Sequence, residues 1–319
     1  MTRLTTPVPA DRPTFAGADR CNDLHAIDAD IAIIGTPYGV IYPSYTDRPR
    51  YSEGAESIRQ HSQKYGKFRE HYDFDLGGTL FNDLPIRIVD CGDVVGDPEG
   101  GSENHERVAE AVRVIRNSGA TVITLGGNDG TSTPVMHGLD ANMGVSIVHF
   151  DAHLDYRDEV EGLTDGWSSS MRRASEMEHM LSPIHLGLRG LGSARPNDVR
   201  DAQANGSTFI TAREIYDRGS REVANSLPKM DDIYIHFDVD VMDLAIAPGA
   251  GAPAMGGLNY WQATDLLQGT AINGRVIAAH FSSFIPSLDP RGLTSMLVAQ
   301  LIMNLISSMA RNGQFEPFS

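Results

Sequence analysis

Seven short runs rich in valine and isoleucine punctuate the chain, and none alternates between apolar and polar residues as a half-exposed strand does. They are Ile31–Gly35, Ile86–Asp90, Thr121–Leu125, Val145–Asp151, Ile184–Leu188, Ile233–Asp238 and Val276–Phe281. Near-continuous hydrophobicity over so few residues is what strands buried on both faces require. Between them, the pattern predicts helices over Glu53–Tyr65, Glu103–Asn117, Ser168–Met180, Tyr260–Gly269 and Gly292–Met309. Strand–helix alternation along the whole length implies a parallel sheet with helices on both faces. No repeat, low-complexity tract or linker interrupts it, so residues 29–319 read as one domain. Residues 1–28, rich in Pro, Thr, Asp and Arg, read as an arm laid over the surface or over a neighbouring subunit.

Charge narrows the partners. The chain of 319 residues carries 26 Lys and Arg against 42 Asp and Glu, a formal net charge of −16. Such a surface repels phosphate backbones, which argues against nucleic acid and favours cationic ligands and metal ions. Cys21 and Cys91 are too few for a disulfide framework and suit a reducing cytoplasm. The first twenty residues lack the apolar stretch of a secretory signal, and no segment reads as a membrane-spanning helix. A cytoplasmic protein without a membrane partner is expected.

Two of the strands run straight into acids. The run ending in Phe150 continues as Asp151-Ala152-His153-Leu154-Asp155, and alternate residues of an extended chain point the same way. Asp151, His153 and Asp155 therefore project together, and three ionisable groups beside a core need a counter-charge. A solvated turn with a capping aspartate would be the structural alternative, but the apolar Ser146–Phe150 leads directly into the triplet. The run ending in Phe237 continues as Asp238-Val239-Asp240, again with two acids on one face. Four aspartates and one histidine make an oxygen-rich shell suited to Mn²⁺ or another divalent first-row ion. Four carboxylates would neutralise two such ions, and ions ~3.5–4 Å apart commonly activate a bridging water for hydrolysis. His137, His179 and His185 read as structural, His149 is left unassigned, and Trp261 reads as packing.

DAHLD, HFDVDVMD with its Gly/Pro-rich continuation to Pro253, and the earlier Gly126-Gly127-Asn128-Asp129-Gly130 resemble, in order and spacing, the three metal-binding signatures of the arginase/agmatinase (ureohydrolase) superfamily. Glu53–Arg59, Met171–Ala174 and Ile184–Gly190 resemble further stretches of that family, so the match runs from about Ile31 to Pro290. The resemblance implies a three-layer α/β/α sandwich, assembly into trimers or hexamers, and metal-dependent hydrolysis of guanidino compounds to urea and an amine. Carried over residue by residue, it makes Asp151, His153, Asp155, Asp238 and Asp240 metal ligands. Manganese or nickel is the expected ion.

Three positions depart from the family pattern. Asp129 stands where the family's Gly-Gly-Asp-His-Ser signature has its metal-binding His. A carboxylate oxygen can reach as far as the nearer imidazole nitrogen, so Asp129 is the open member of the ligand set and decides between one ion and two. Trp167 stands where agmatinase-like members carry a proton-transferring His, and indole exchanges no proton near neutral pH. Losing such a group typically costs ~10²–10⁴ in rate. Ser283 stands where the family has a guanidinium-pairing Glu, and His280 replaces the Asp of the same strand. The reading these changes favour is a catalytically impaired subunit partnered with an active paralogue in a hydrolase of guanidines or biguanides. The alternative is an active enzyme with an altered pocket, bounded by residues 38–50 and 156–165, that takes an N-alkylated guanidine or biguanide.

Overall fold

Residues 31 to 35 show why this sheet must be covered twice. Ile31 and Ile33 enter one apolar core, Ala32 and Ile34 enter another, and all four are fully buried. The chain is described here from a computed structural model over residues 3–45, 51–97, 101–139 and 144–315. Within these residues ten strands form one sheet. They are β1 (Thr5–Thr6), β2 (Asp19–Arg20), β3 (Ile31–Gly35), β4 (Ile88–Val94) and β5 (Thr121–Leu125), then β6 (Val145–Phe150), β7 (Ile184–Leu188), β8 (Thr208–Thr211), β9 (Asp232–Asp238) and β10 (Arg275–Ser282). Their order is β1-β4-β3-β5-β10-β9-β6-β7-β8, with β2 also paired to β4. Every pairing is parallel except that of β1 with β4.

The helices form the outer layers. One core collects residues of α1 (Gly54–His61), α2 (Gln63–Lys67), α7 (Ala212–Arg218), α8 (Ser220–Ser226), α9 (Tyr260–Ile272) and α10 (Leu293–Arg311). The other collects α3 (Ser102–Asn117), α4 (Ser132–Gly138), α5 (Ser170–Ala174) and α6 (Pro196–Ala204). The fold is thus the three-layer α/β/α sandwich expected. Strands β5, β10, β9 and β6 are consecutive neighbours at its centre, so their carboxyl ends lie side by side, where open parallel sheets bind ligands.

Several expectations need correction. The strand expected over Ile86–Asp90 starts at Ile88 and runs on to Val94. Gly92, at φ +74, makes this possible, because a Cβ there would stand 2.0 Å from Thr6 O. The helix expected over Ser168–Met180 covers only Ser170–Ala174. Beyond it the chain turns to add to the sheet edge, with Val145 N donating to His179 O at 2.7 Å and Leu181 N to Val145 O at 2.8 Å. One helix, α10, is after all long and apolar enough to cross a membrane. Its apolar residues, from Val298 to Met309, are buried in the first core, as in the central helix of a water-soluble domain.

The arm belongs to the sheet of its own chain. Thr5 and Thr6 pair with Val94 and Asp93, and Asp19 and Arg20 pair with Val89 and Asp90. Phe15 is fully buried in the first core, and its N–H donates to Asp90 Oδ2 at 2.8 Å. Asp90 is in turn clamped by Arg59, through Nε at 2.9 Å and Nη2 at 3.0 Å. Phe15→Ala should therefore lower stability by about 3–5 kcal/mol in urea melts. A loss below about 1 kcal/mol would mean that the arm is an accessory to a fold complete without it.

Candidate metal centre

Each site residue stands where a central strand leaves the sheet. After β5 the chain turns through Gly126 (φ +80) and Gly127 (φ +77), where a Cβ would come 2.9 Å from Ala55 N and 2.4 Å from Thr36 O respectively. Only glycine tolerates both demands. Asn128 then accepts from Gly130 N at 3.0 Å and fixes Asp129 in a short 3₁₀ turn. After β6, Asp151 Oδ1 accepts from His153 N at 2.5 Å. After β9, Asp238 Oδ1 accepts from Asp240 N at 2.8 Å, and Asp240 Oδ1 accepts from Ala152 N at 3.1 Å, tying the two acid turns together. Asp155 lies in the left-handed region (φ +50), held there because its carbonyl accepts from Met171 N and Arg172 N at 3.0 and 3.2 Å.

These turns bring all six residues singled out in the sequence into one cluster. Ligand atoms of Asp151, His153 and Asp240 lie within 4.8 Å of one another, and so do those of Asp129, Asp151 and Asp238. Asp155 joins Asp151 in a third such group with His149. Asp151 is common to all three, as a residue shared between adjacent ions would be. Its Oδ2 is fully buried, and His153 Nδ1 lies 2.9 Å from Asp240 Oδ2 and 3.4 Å from Asp151 Oδ1. Converging buried carboxylates beside one imidazole fit a divalent cation.

The charges confirm the strain. Burial pushes the carboxyls of Asp155 and Asp238 well above the ordinary range, and neighbouring Asp151 and Asp129 add to both. Burial raises Asp240 to about 7, with Asp151 adding and His153 opposing. Burial alone would raise Asp151 as well, but His149 and His153 outweigh it and hold Asp151 well below the usual range. His153 is the converse: burial lowers it, yet Asp151 and Asp240 drive it to about 11.

The structure adds a feature that the sequence reading left out. His185, His149, His236 and His280 stand in register on β7, β6, β9 and β10, all fully buried. On the opposite face, Phe150, Phe237 and Phe281 form a parallel row with ring centroids 5.2 Å apart. The signal was present as His-Phe-Asp at 149–151, His-Phe-Asp at 236–238 and His-Phe-Ser at 280–282. Each His shares a face with the residue two places on. His149 Nε2 accordingly lies 3.0 Å from Asp151 Oδ2, and His236 Nε2 forms an ion-pair contact with Asp129 Oδ1. Groups that hold metal ligands from behind set the ligands' orientation. His149 Nδ1 lies 2.8 Å from His185 Nδ1, while His280 bonds to Thr124 and Thr131 at 2.6 and 2.8 Å.

Asp129 is consequently engaged on both oxygens. Besides His236, it accepts from Ser170 Oγ at 2.9 Å, with Ser282 Oγ at 3.4 Å. Burial alone would raise its carboxyl, but His236 overrides burial and lowers it. Trp167 and Ser283 both line the cleft above the cluster, a space of about 320 Å³. Ser283 is fixed at φ +67 by donating from its N–H to Gly127 O at 2.9 Å and accepting from Gly251 N at 2.8 Å. His280 points away from the cleft to its threonines. Of the bounding loops, residues 46–50 lie outside the described residues.

The profile of the arginase family matches residues 29–307. The chain belongs to the arginase family. An agmatinase of Pyrococcus horikoshii is 30% identical over 287 residues, which cover 89% of this chain and 93% of that protein. The proclavaminate amidino hydrolase of Streptomyces clavuligerus superposes with a TM-score of 0.81 at 24% identity, over 95% of this chain and 98% of that one. The formiminoglutamase of Trypanosoma cruzi, solved with Mn²⁺, superposes with a TM-score of 0.77 at 20% identity, over 94% and 99% of the two chains. An arginase-family fold with a histidine-backed acid cluster at its strand ends is therefore the frame for any function.

The raised carboxyls set a pH dependence. A group whose folded value is raised contributes stability below its ordinary value, lost as pH rises through the folded one. For Asp240 that window runs from 3.8 to about 7, and Asp155 and Asp238 shift the same way. The metal-free protein should lose thermal stability from about pH 4 to about pH 7, and Mn²⁺ should raise Tm more at the upper end, with proton release on binding. A Tm gain independent of pH would contradict this electrostatic account.

Proposed function

We propose that this chain is a catalytically impaired subunit of a cytoplasmic, metal-dependent hydrolase that releases urea from guanidino or biguanide compounds, and that it assembles with an active paralogue. One observation carries the reading. Among the described residues lining the cleft, His153 is the sole imidazole, and it is turned into the acid cluster. Trp167 and Ser283 occupy the positions where the family resemblance puts a proton-transferring His and a guanidinium-pairing Glu. General acid–base help and a charge-assisted clamp are thus both missing from the places that would supply them.

Asp151, His153, Asp238 and Asp240 would hold a first manganese or nickel ion, with Asp155 and the His236-paired Asp129 facing a second. A divalent ion bound there would supply Lewis-acid activation of water. The chain's own residues do the rest. His149 and His236 hold two ligand carboxylates in place, while the loops bearing Tyr42 and Trp167 wall the cleft. The agmatinase relative supports a guanidino substrate class, and the Mn²⁺ of the formiminoglutamase supports the choice of metal. A second reading, an active enzyme on an N-alkylated guanidine or biguanide, is favoured by the aromatic lining of Tyr42, Tyr45 and Trp167.

The readings part in two experiments. Expressed alone, the chain should release no urea from guanidine, biguanide or agmatine-like compounds. Co-expressed with an intact paralogue, it should co-purify as a trimeric or hexameric mixed assembly of fixed stoichiometry. Robust turnover by the lone chain would establish the second reading instead. In addition, Asp129→His, Trp167→His and Ser283→Glu should each do little, because groups acting as a unit are strongly non-additive. The triple variant should gain metal-dependent urea release. Asp129→His removes the counter-charge of His236, so the comparison is made on variants with unchanged circular dichroism. A folded, metal-loaded triple variant without activity would contradict the assignment of these three positions.

A further inference from the structure

The arm meets the sheet at the chain's two cysteines. β2 runs parallel to β4, with Asp19 opposite Val89 and Arg20 opposite Asp90. The ladder continues one residue further, because Cys21 N donates to Asp90 O at 2.9 Å. In a parallel ladder an N–H reaches the carbonyl one residue before its partner, so Cys21 stands opposite Cys91. Both side chains enter the same apolar core, and their thiols are in hydrogen-bond contact. Neighbouring strands lie ~4.8 Å apart, inside the Cα separation of about 4.4–6.8 Å that a disulfide spans. The two sulfurs can therefore join without moving the backbone. They are not equivalent, however. Cys21 lies at the rim of the core, 9% exposed, whereas Cys91 is fully buried. Contact with the Cys91 thiol brings Cys21 down to about 7, against burial and the charges of Asp23 and Asp90. The same contact, together with burial, raises Cys91. A thiolate on the outer sulfur with a thiol held behind it is the pairing of an attacking and a resolving cysteine.

We propose that Cys21 and Cys91 are a modification site, a dithiol that a small hydroperoxide converts into a disulfide fastening the arm to β4. The Cys21 thiolate attacks one peroxide oxygen and breaks the O–O bond, which leaves a sulfenic acid on Cys21 and releases hydroxide. The Cys91 sulfur then displaces the sulfenic oxygen and forms the S–S bond. The dithiol gives two electrons to the peroxide, and its two protons complete two molecules of water. The new bond lies beside Asp90, which already receives the Phe15 N–H and the Arg59 guanidinium, so it reinforces the contacts that hold the arm. A single reversible disulfide of this kind is the form that such bonds usually take in a reducing compartment. The site is independent of what the cleft binds or turns over.

The chain has no third cysteine, so a disulfide within one chain can only be this one. The test treats the full chain with hydrogen peroxide at about pH 7, where a lowered thiol is already part thiolate. The reaction is quenched with N-ethylmaleimide and read by mass spectrometry. A product lighter by two hydrogens, closed to alkylation and reopened by dithiothreitol, is expected. It should form faster in the native chain than in the chain unfolded in urea. Hydrogen exchange at the Phe15 and Cys21 amides should slow about tenfold on oxidation, because the bond opposes opening of the arm. Cys91→Ala should stop at a sulfenic acid that dimedone traps on Cys21, and Cys21→Ala should leave Cys91 unoxidised. The mass and exchange readings use the unsubstituted chain and do not depend on how either variant folds. Both thiols still open to alkylation after peroxide, disulfides formed between chains, closure faster in urea, or unchanged exchange would each overturn the proposal.

Discussion

Buried negative charge at the ends of neighbouring strands sets the terms for the rest of this molecule. Asp151, Asp155, Asp238 and Asp240 are each exposed by 5% or less and lie in one cluster with Asp129. Taking one unpaired carboxylate out of water is costly, and gathering several multiplies the cost unless positive charge meets them. Everything near the cluster answers that demand. The glycine turn at 126–127 brings Asp129 in, the paired turns after β6 and β9 hold the acids by backbone N–H groups, and imidazoles approach from below. A divalent cation fits the charge that the protein leaves unmet.

The demand is met unevenly across the site. On one side His153 is partly exposed and faces Asp151 and Asp240, poised to ligate. On the other, His236 meets Asp129 from within the sheet, an internal partner for the carboxylate that replaces the family's His. Asp129, Trp167 and Ser283 all border one cleft, so the three departures act on a single space. Under the proposed reading, their common effect would be to take a proton-transferring group and a guanidinium-pairing carboxylate from that space.

Much of this was legible in the residues because buried parallel strands leave so little freedom. Ile31–Gly35, Thr121–Leu125 and Ile184–Leu188 have the bounds read from their apolar runs, whereas the acids of DAHLD and of Asp238–Asp240 converge through turns and not through the extended chain that period-two spacing assumes. Tertiary contacts decided what was missed. β8 is a four-residue edge strand with exposed threonines at both ends, so it lacks an apolar run, and the flanking α6, α7 and α8 are short. The segment after Ala174 looks helical in isolation but is drawn off to pair with Val145. The arm's Pro- and Asp-rich composition hides its anchors, Phe15 in one core and Cys21 and Leu24 in the other. The histidine row carries no signal residue by residue: its meaning lies in a His recurring two residues before a strand-end acid or serine on adjacent strands.

The central claim is that this cluster is one complete cation site beside a second whose ligand is held by an internal histidine. Anomalous X-ray diffraction at the manganese edge, from crystals grown in Mn²⁺ and rinsed in chelator, addresses it directly. The account predicts a single peak bounded by Asp151, His153, Asp238 and Asp240, with Asp129 still against His236. Two peaks of equal height, the second bound by Asp129 turned away from His236, would contradict it.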